Sequence, residues 1–138
     1  MTYATQQDLI DRFGEAELRE LADRDGDDVI DAAVVGAALN DASNRIDSYI
    51  GQRYDLPLAT TPPLLEQLCC DIARHRLFKD DPPEIVSVNY NHALRALRDI
   101  ADGRASLDLG GAEPAPAGDA VLTTGPDRVF TKDTLKGF

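Results

Sequence analysis

Apolar residues recur at three- and four-residue intervals in three long stretches of the chain, the spacing of one buried face of an α-helix. The stretches are Asp31 to about Arg53, Thr61 to about Phe78, and Asp81 to about Gly103. Asp31, Thr61 and Asp81 are the predicted N-caps, since an oxygen-bearing side chain accepts free N–H groups of the first turn. Proline follows both Thr61 and Asp81, as is common at the start of a helix.

Two short helices are predicted before the long ones. Thr5 can cap the first, with Asp8 three residues later, and Gly14 ends it. Residues 15–22 form the second, and their first-turn acids suit the positive end of the helix dipole. From Arg104 the periodic pattern is lost. We therefore predict an all-α fold: a small helical bundle of three long and two short helices in residues 1–104.

The predicted core consists of one stripe from each long helix. The stripes are Val35, Leu39, Ala42, Ile46 and either Tyr49 or Ile50; Leu65, Leu68, Cys69, Ile72, Ala73 and Leu77; and Val86, Tyr90, Ala93, Leu94, Leu97 and Ile100. Tyr54, Leu56 and Leu58 are expected to lock the junction after the first long helix. Gly36, within that helix, is expected to admit close approach of another helix.

Composition and charge limit the classes of function. The chain has 43% hydrophobic residues and a formal charge of −11, with ten acids and three bases in residues 1–40. This distribution lacks the basic cluster that neutralises phosphates, so a nucleic-acid reader is not expected. No apolar run is long enough to cross a bilayer, and no cleavable leader is recognised. We therefore expect the protein to stay in the cytosol in which it is made.

The chemistry-bearing residues show no catalytic spacing, so an enzyme, a cofactor and a catalytic residue are not predicted. Cys69 and Cys70 are neighbours on a helix, where their side chains diverge; we interpret them as reduced core thiols. His75 lies between two arginines near a helix end, where cations complement the dipole. His92 falls on a polar face and is expected to be solvated.

The segment Asp23–Asp31 is densely acidic and suggests calcium, because carboxylates at alternate positions can wrap a hard cation. The spacing departs from a calcium loop: Gly26 stands at the fourth place rather than the sixth, and Val34 at the twelfth, where a bidentate Glu is needed. We therefore expect a solvated turn that caps the next helix through Asp31, and no metal site. A small acidic, cation-responsive regulatory module using residues 23–31 is the alternative function.

The C-terminal part combines a linker with a segment that regains apolar residues. Residues 110–118 are rich in Gly, Ala and Pro and are predicted to be a flexible linker. Residues 127–138 then carry large apolar side chains among alternating bases, which indicates a docking segment. We therefore assign residues 105–138 to a linker and an extended C-terminal docking arm, which contacts another chain or folds back on its own helices.

Several motifs, taken together, resemble a family of small proteins of Mu-like phages and prophages. They are Tyr3-Ala4-Thr5-x-x-Asp8-Leu9-Ile10, Asp23-Arg24-Asp25-Gly26-Asp27, Ala42-Ser43-x-x-Ile46-Asp47-x-Tyr49-Ile50, Arg53-Tyr54-x-Leu56-Pro57-Leu58, Cys70-Asp71-Ile72-Ala73-Arg74 and Arg128-Val129-Phe130-x-Lys132-Asp133-Thr134-Leu135-Lys136-Gly137-Phe138. The likeness covers almost the whole chain and is weakest between about 105 and 125. The family is similar to the head–tail connector (adaptor) proteins of long-tailed phages.

This resemblance implies a structural virion protein that joins the portal to the tail. It implies self-association into a ring of about a dozen copies, contact with portal and tail-completion proteins, and no binding of a specific nucleic acid or of a membrane. The protein would then occupy the host cytoplasm during assembly and later the virion neck. The arm residues expected to bind a partner are the anchors Val129, Phe130, Leu135 and Phe138, and the bases Arg128, Lys132 and Lys136.

Overall fold

The computed structural model describes residues 2–107 and residue 109, and within them every regular element is a helix. The five helices are α1 Gln6–Phe13, α2 Glu15–Ala22, α3 Ala32–Ile50, α4 Pro63–Leu77 and α5 Glu84–Ala101. The predicted all-α class, with two short and three long helices, is confirmed. The predicted linker 110–118 and the docking residues of the arm lie outside the described residues.

The three long helices form the body, with α3 in contact with each of the other four helices. Asp41 of α3 pairs with Arg76 of α4, while Ser43 lies beside Cys69. These pairings run in opposite directions along the two helices, so α3 and α4 are antiparallel. The end of α3 meets the end of α5, where Arg53 reaches the carbonyl of Ile100. α5 therefore runs parallel to α3 and antiparallel to α4.

The predicted apolar stripes form the core. Ile46, Ile50, Leu65, Leu97 and Ile100 are fully buried. Cys69 and Cys70 are buried free thiols, as predicted. Tyr90 and Leu94, which the stripe of α5 also includes, are only half-buried and pack at the edge of the core. No helix in the described part of the chain has the length and apolar character that a bilayer crossing requires.

Two predicted caps are confirmed and two are wrong. Thr5 and Asp8 form the reciprocal capping box of α1, and Asp31 caps α3 by accepting the N–H of Ala33. Thr61 and Asp81 cap nothing: α4 begins at Pro63 and α5 at Glu84. The cause is the paired prolines, because a residue that precedes proline is pushed out of the helical region. α4 therefore starts at the second proline of its pair, and α5 starts after both prolines of its pair.

The end of α3 is earlier than predicted, at Ile50 rather than Arg53. Beyond it, buried Arg53 donates from Nη1 to the carbonyl oxygens of Ile100 at 2.8 Å and Ala105 at 3.0 Å. The carbonyl groups at the end of a helix lack partners within the helix, so a cation there both bonds them and complements the dipole. Because α3 ends before Arg53, the Arg53 side chain is free to cap the C-terminal carbonyl groups of α5.

The junction after α3 holds the last described residues. Tyr54 is 5% exposed, and its hydroxyl accepts the N–H of Leu107 at 2.9 Å. Leu58 is also buried, so these two residues lock the junction as predicted. Leu56 does not, since it is 37% exposed. The expected close approach at Gly36 is also wrong, because a Cβ placed there would meet no atom within 4 Å.

The N-terminal segment and the short helices are tied to the body by polar contacts. The Tyr3 N–H donates to Ser43 Oγ at 3.0 Å, and the Tyr3 hydroxyl donates to Asp47. Burial and the Asp47 carboxylate raise the pKa of Tyr3, so its hydroxyl remains a donor at neutral pH. Arg74 of α4 holds Glu17 of α2 through two bonds of 2.8 and 2.9 Å. Such paired contacts fix an orientation as well as a distance.

We expect Tyr54→Phe to lower the free energy of unfolding by about 1–2 kcal/mol, because the buried N–H of Leu107 loses its acceptor. Urea denaturation of the full chain, followed by circular dichroism, measures the change. Tyr49→Phe is the matched control, since the described residues include no hydrogen-bond partner for the half-buried Tyr49 hydroxyl. A loss equal to that of the control would show that the bond contributes nothing.

Candidate functional site

The predicted partner-binding residues all belong to the arm. Arg128, Val129, Phe130, Lys132, Leu135, Lys136 and Phe138 lie outside the described residues, and their role stays a prediction. Two surfaces of the described body carry the charged and apolar side chains that could contact a partner. One is the segment Asp23–Asp31, which we call the acidic loop. The other is a groove beside the antiparallel pair α3 and α4.

The acidic loop folds around the carboxylate of Asp23. That carboxylate accepts the backbone N–H groups of Gly26 at 2.8 Å, Asp27 at 3.1 Å and Asp28 at 2.8 Å. Gly26 and Asp28 both have positive φ, at 80° and 61°, so the chain reverses sharply. The loop then ends at Asp31, the cap of α3. The predicted exposed turn with a capping Asp31 is confirmed.

The carboxylates of Asp23, Asp25 and Asp27 converge, with one oxygen of each within 4.8 Å of the others. Partial removal from water opposes ionisation of Asp23, but the backbone N–H groups of the loop outweigh this effect and lower its pKa. A hydrogen bond with the Asp27 side chain raises the pKa of Asp25. Asp25 therefore holds its proton more firmly than an isolated aspartate does, chiefly through its hydrogen bond with Asp27.

This arrangement supplies part of a coordination sphere for a hard cation. Three convergent carboxylates fall short of the six to eight oxygens that calcium takes. Asp28 occupies the sixth place with the positive φ that a glycine usually provides there. The twelfth place is Val34, which packs against the core and offers no ligand. The geometry is therefore that of a self-closed loop with an incomplete set of ligands.

A groove of about 450 Å³ lies between the first half of α3 and the end of α4. Its apolar lining is Val34, Ala37, Ala38, Leu77 and Phe78. Arg24, Arg76 and Lys79 supply cations from three segments of the chain. Asp41 is the acidic residue in this lining, and its carboxylate accepts a hydrogen bond from Arg76 Nε at 2.5 Å.

A smaller cleft of about 130 Å³ adjoins the groove between α3, α4 and α5. It shares Asp41, His75 and Arg76 with the groove and adds Arg45, Ile72 and Tyr90. The ring of His75 stacks on Tyr90 with centroids 3.9 Å apart and planes 11° apart. Burial lowers the pKa of His75, so the ring is neutral at pH 7. We call the groove and this cleft together the cationic groove.

A third cleft, of about 460 Å³, lies on the other side of the acidic loop. It is lined by Gln6, Ile10, Glu15, Arg19, Asp28, Val29 and Ile30. Glu15 and Arg19 pair with each other at 3.2 Å across one turn of α2. The tip of the acidic loop therefore faces α1 and α2 within its own chain rather than the cationic groove.

The clefts of the described part are suited to binding, and no activated nucleophile lines them. Burial raises the pKa of both Cys69 and Cys70, that of Cys70 to about 12 against the opposing effect of Arg12. Both thiols are thus protonated at neutral pH, while the thiolate is the reactive form. His92 is exposed, as predicted, and His75 is engaged in its stack.

The cationic groove was missed by sequence reasoning. Arg24, Arg45 and Lys79 are far apart in the sequence, and each alone resembles an ordinary solvated side chain. The available signal is the run from His75 to Lys79, which places Arg76 just before a helix end and Lys79 just after it in an otherwise acidic chain. The dipole of α4 accounts for Arg74, His75 and Arg76 in its last turn, but it does not reveal the groove beside them.

Comparison with known proteins places the chain among phage proteins. A model of the family described as "Bacteriophage Mu, Gp36" matches residues 3–124. The "Mu-like prophage FluMu protein gp36" of Haemophilus influenzae is 36% identical over 137 residues, covering 99% of this chain and 97% of the relative. "Gene product J" of Escherichia phage Mu is 33% identical over 140 residues, covering 100% of this chain and 99% of the relative. The predicted resemblance to Mu-like phage proteins is confirmed.

We expect the acidic loop to bind calcium with a dissociation constant of about 1 mM or weaker. The reason is that Val34 stands where a bidentate glutamate is needed and supplies no oxygen ligand. Isothermal calorimetry of the full chain with calcium measures this, with magnesium titrated in parallel. Asp25→Asn/Asp27→Asn is the control variant, which removes two of the three convergent charges and retains hydrogen-bonding oxygens. Micromolar affinity that the control abolishes would instead establish a calcium site.

Proposed function

The chain belongs to the Bacteriophage Mu, Gp36 family, and from this premise we propose that it is a head–tail connector of the virion. In this proposal it is a structural protein that self-associates into a ring and joins the portal to the tail. The helical body is the repeating unit of the ring, and the C-terminal arm binds the portal or an adjacent subunit. The protein acts in the host cytoplasm during assembly and remains in the virion neck.

The observation that carries the proposal is the extent of the likeness to the two phage proteins. It spans 99% and 100% of this chain, so it includes the arm as well as the helical body. A segment rich in Gly, Ala and Pro joins these parts. An arm on such a linker can search for a partner surface while the body stays in place, and several apolar anchors offset the entropy lost on docking.

The body adds support of a physical kind. Val29 and Ile85 are 58% and 59% exposed, although both are large apolar residues, and Leu64 is 39% exposed. They belong to three different segments: the acidic loop, α5 and α4. Apolar residues exposed singly are ordinary on protein surfaces, and their spread over three elements leaves more than one side open to contact. A subunit of a ring that also touches a portal and a tail protein meets this description.

The charges of the arm indicate what it binds. Residues 127–138 hold three bases and two acids, whereas residues 1–40 hold ten acids and three bases. Apolar anchors between bases suit an acidic surface with apolar pockets. The first forty residues of an adjacent copy offer such acids, and a portal subunit with an acidic rim would offer them too.

The cation-responsive module is the second candidate, and the convergence of Asp23, Asp25 and Asp27 is the observation that favours it. The same carboxylates already accept backbone N–H groups of the loop, which accounts for the convergence without an ion. The calcium titration described above separates the two candidates. Micromolar binding that changes the melting temperature would support the module.

We expect that removing residues 126–138 leaves a folded helical body that no longer joins heads to tails. Circular dichroism should give the same helical signal and a closely similar melting temperature, because the described core lies within residues 2–107. Joining is measured by mixing purified heads and tails with the protein and counting infective particles. Infective particles at the level of the full chain would contradict the role of the arm.

A matched pair of full-length variants makes the same test without a truncation. Phe130→Ala/Phe138→Ala removes two anchors and should reduce joining at least tenfold, since large aromatic anchors dominate interface energies. Thr131→Ala/Thr134→Ala changes the same segment without removing an anchor and should join normally. Negative-stain microscopy of each variant mixed with portal shows directly whether a ring is present.

A further inference from the structure

We propose that the cationic groove is the surface on which a second copy of this chain docks, with the acidic loop of that copy seated in it. The inference rests on the proposed function, because a ring requires a repeated contact between copies. It specifies that contact: the groove beside α3 and α4 of one subunit receives residues Asp23–Asp31 of the next. The arm is then left to contact the portal or an acidic surface elsewhere on a subunit.

The cations of the groove are available for a partner. Most other arginines near the surface already have acids: Arg12 pairs with Glu66, Arg19 with Glu15, Arg74 with Glu17, and Arg104 with Asp99. Arg24, Arg45 and Lys79 pair with no acid among the described residues, and all three line the groove. Among the described residues, the other arginines without a paired acid are buried Arg53, and Arg95 and Arg98 on α5.

The chain has a formal charge of −11, yet several of its cations lie together in the cationic groove. The C-terminal carbonyl groups of α4 offset part of it, but a helix end carries only about half an elementary charge. Nucleic acid is a poor occupant, because the rest of the molecule is acidic and would repel phosphates. The groove therefore suits an acidic protein segment.

The shape of the acidic loop matches this surface. Its tip presents Val29, which is 58% exposed, next to the exposed acids Asp25, Asp27 and Asp28. The groove offers the reverse arrangement, with an apolar lining that includes half-buried Phe78 and cations around it. An apolar contact enclosed by opposite charges is the usual pattern of a specific interface.

The occupant must come from another copy. Within its own chain Arg24, near the start of the loop, lines the groove, whereas Asp28 and Val29 at the tip line the cleft against α1 and α2. The arm of the same chain is an unsuitable occupant, since residues 127–138 carry one more base than acid and the groove is itself positive. Because the tip of the loop and the groove are different patches, the contact is head-to-tail and repeats from subunit to subunit, as a ring requires.

The test uses charge reversal on each side and a swap of both. Arg45→Glu/Lys79→Glu changes the groove, and Asp25→Lys/Asp28→Lys changes the loop. Sedimentation of the full chain over its whole soluble concentration range gives the self-association constant. Each double variant should weaken it about tenfold, and the chain with all four changes should regain it to within about threefold, because opposite charges face each other again.

Mixing the two double variants tests the head-to-tail geometry. The intact groove of the loop variant can receive the intact loop of the groove variant, and the reversed loop of the first also faces the reversed groove of the second with opposite charge. The mixture should therefore associate, with the two variants alternating, although neither variant associates well alone. Arg95→Glu/Arg98→Glu and Glu20→Lys/Asp55→Lys are the matched controls on exposed residues outside both surfaces, and they should associate as the wild type does. Asp25→Asn/Asp28→Asn is a milder loop variant that keeps the positive φ tolerable, and it should weaken association less than the lysine pair.

Any of three results would overturn the inference. The wild-type chain could stay monomeric at every soluble concentration, or the groove variant could associate as the wild type does. The chain with all four substitutions could also fail to regain self-association. These outcomes are separable from failure of the proposed function. If groove variants still form rings on the portal and join heads to tails, the connector stands and this contact is wrong. If wild-type protein associates through the groove but never joins heads to tails, the connector proposal is wrong.

Discussion

The whole body depends on burial of the apolar side of α3. This helix contacts each of the other four, and its Val35, Ile46 and Ile50 are at most 1% exposed. α4 covers it from one side and α5 from another, while α1 and α2 close the remaining part near the N-terminal segment. Transfer of such side chains out of water is the main favourable term in folding, at roughly 25 cal/mol per Å² of apolar surface. Removing α3 would leave no shared core.

The packing on α3 also determines where binding surfaces can exist. α4 begins at Pro63 and ends at Leu77, before the described chain turns toward α5. Its end leaves the first half of α3 partly uncovered, and this is where the cationic groove opens. At the opposite end, Arg53 and Tyr54 fasten the residues that follow α5. Ala105 and Leu107 are thus held at the end of the body away from the start of α3.

Much of this fold can be predicted from the sequence because its determinants are local. A stripe at helical spacing identifies α3, α4 and α5, and a side chain that accepts an N–H three residues ahead identifies Thr5 as a cap. The caps at Thr61 and Asp81 failed for a reason that is also local: the pattern favours proline in the first turn, yet two consecutive prolines delay the helix. Arg53 differs, since its partners Ile100 and Ala105 are distant in sequence.

The candidate surfaces were harder to predict, because tertiary packing assembles them. Arg24, Arg45 and Lys79 meet only when α3 and α4 pack antiparallel, and no spacing rule links them. The convergence of Asp23, Asp25 and Asp27 was visible as alternating acids, but the reversal at Asp28 was not, since aspartate adopts positive φ less readily than glycine. Leu56 carried an apolar signal that burial did not confirm. Periodicity reports which face is buried, and it says little about what meets across the remaining surface.

The separation of charge within one chain has a consequence for assembly. Acids dominate the first forty residues, cations concentrate in the groove, and the arm carries one more base than acid. Within one chain the loop tip faces α1 and α2 rather than the groove. Under the proposed contact the attraction between tip and groove is satisfied between molecules, and since the two patches differ, each contact leaves one patch of each kind free at the ends. Such an array ends only when it closes on itself.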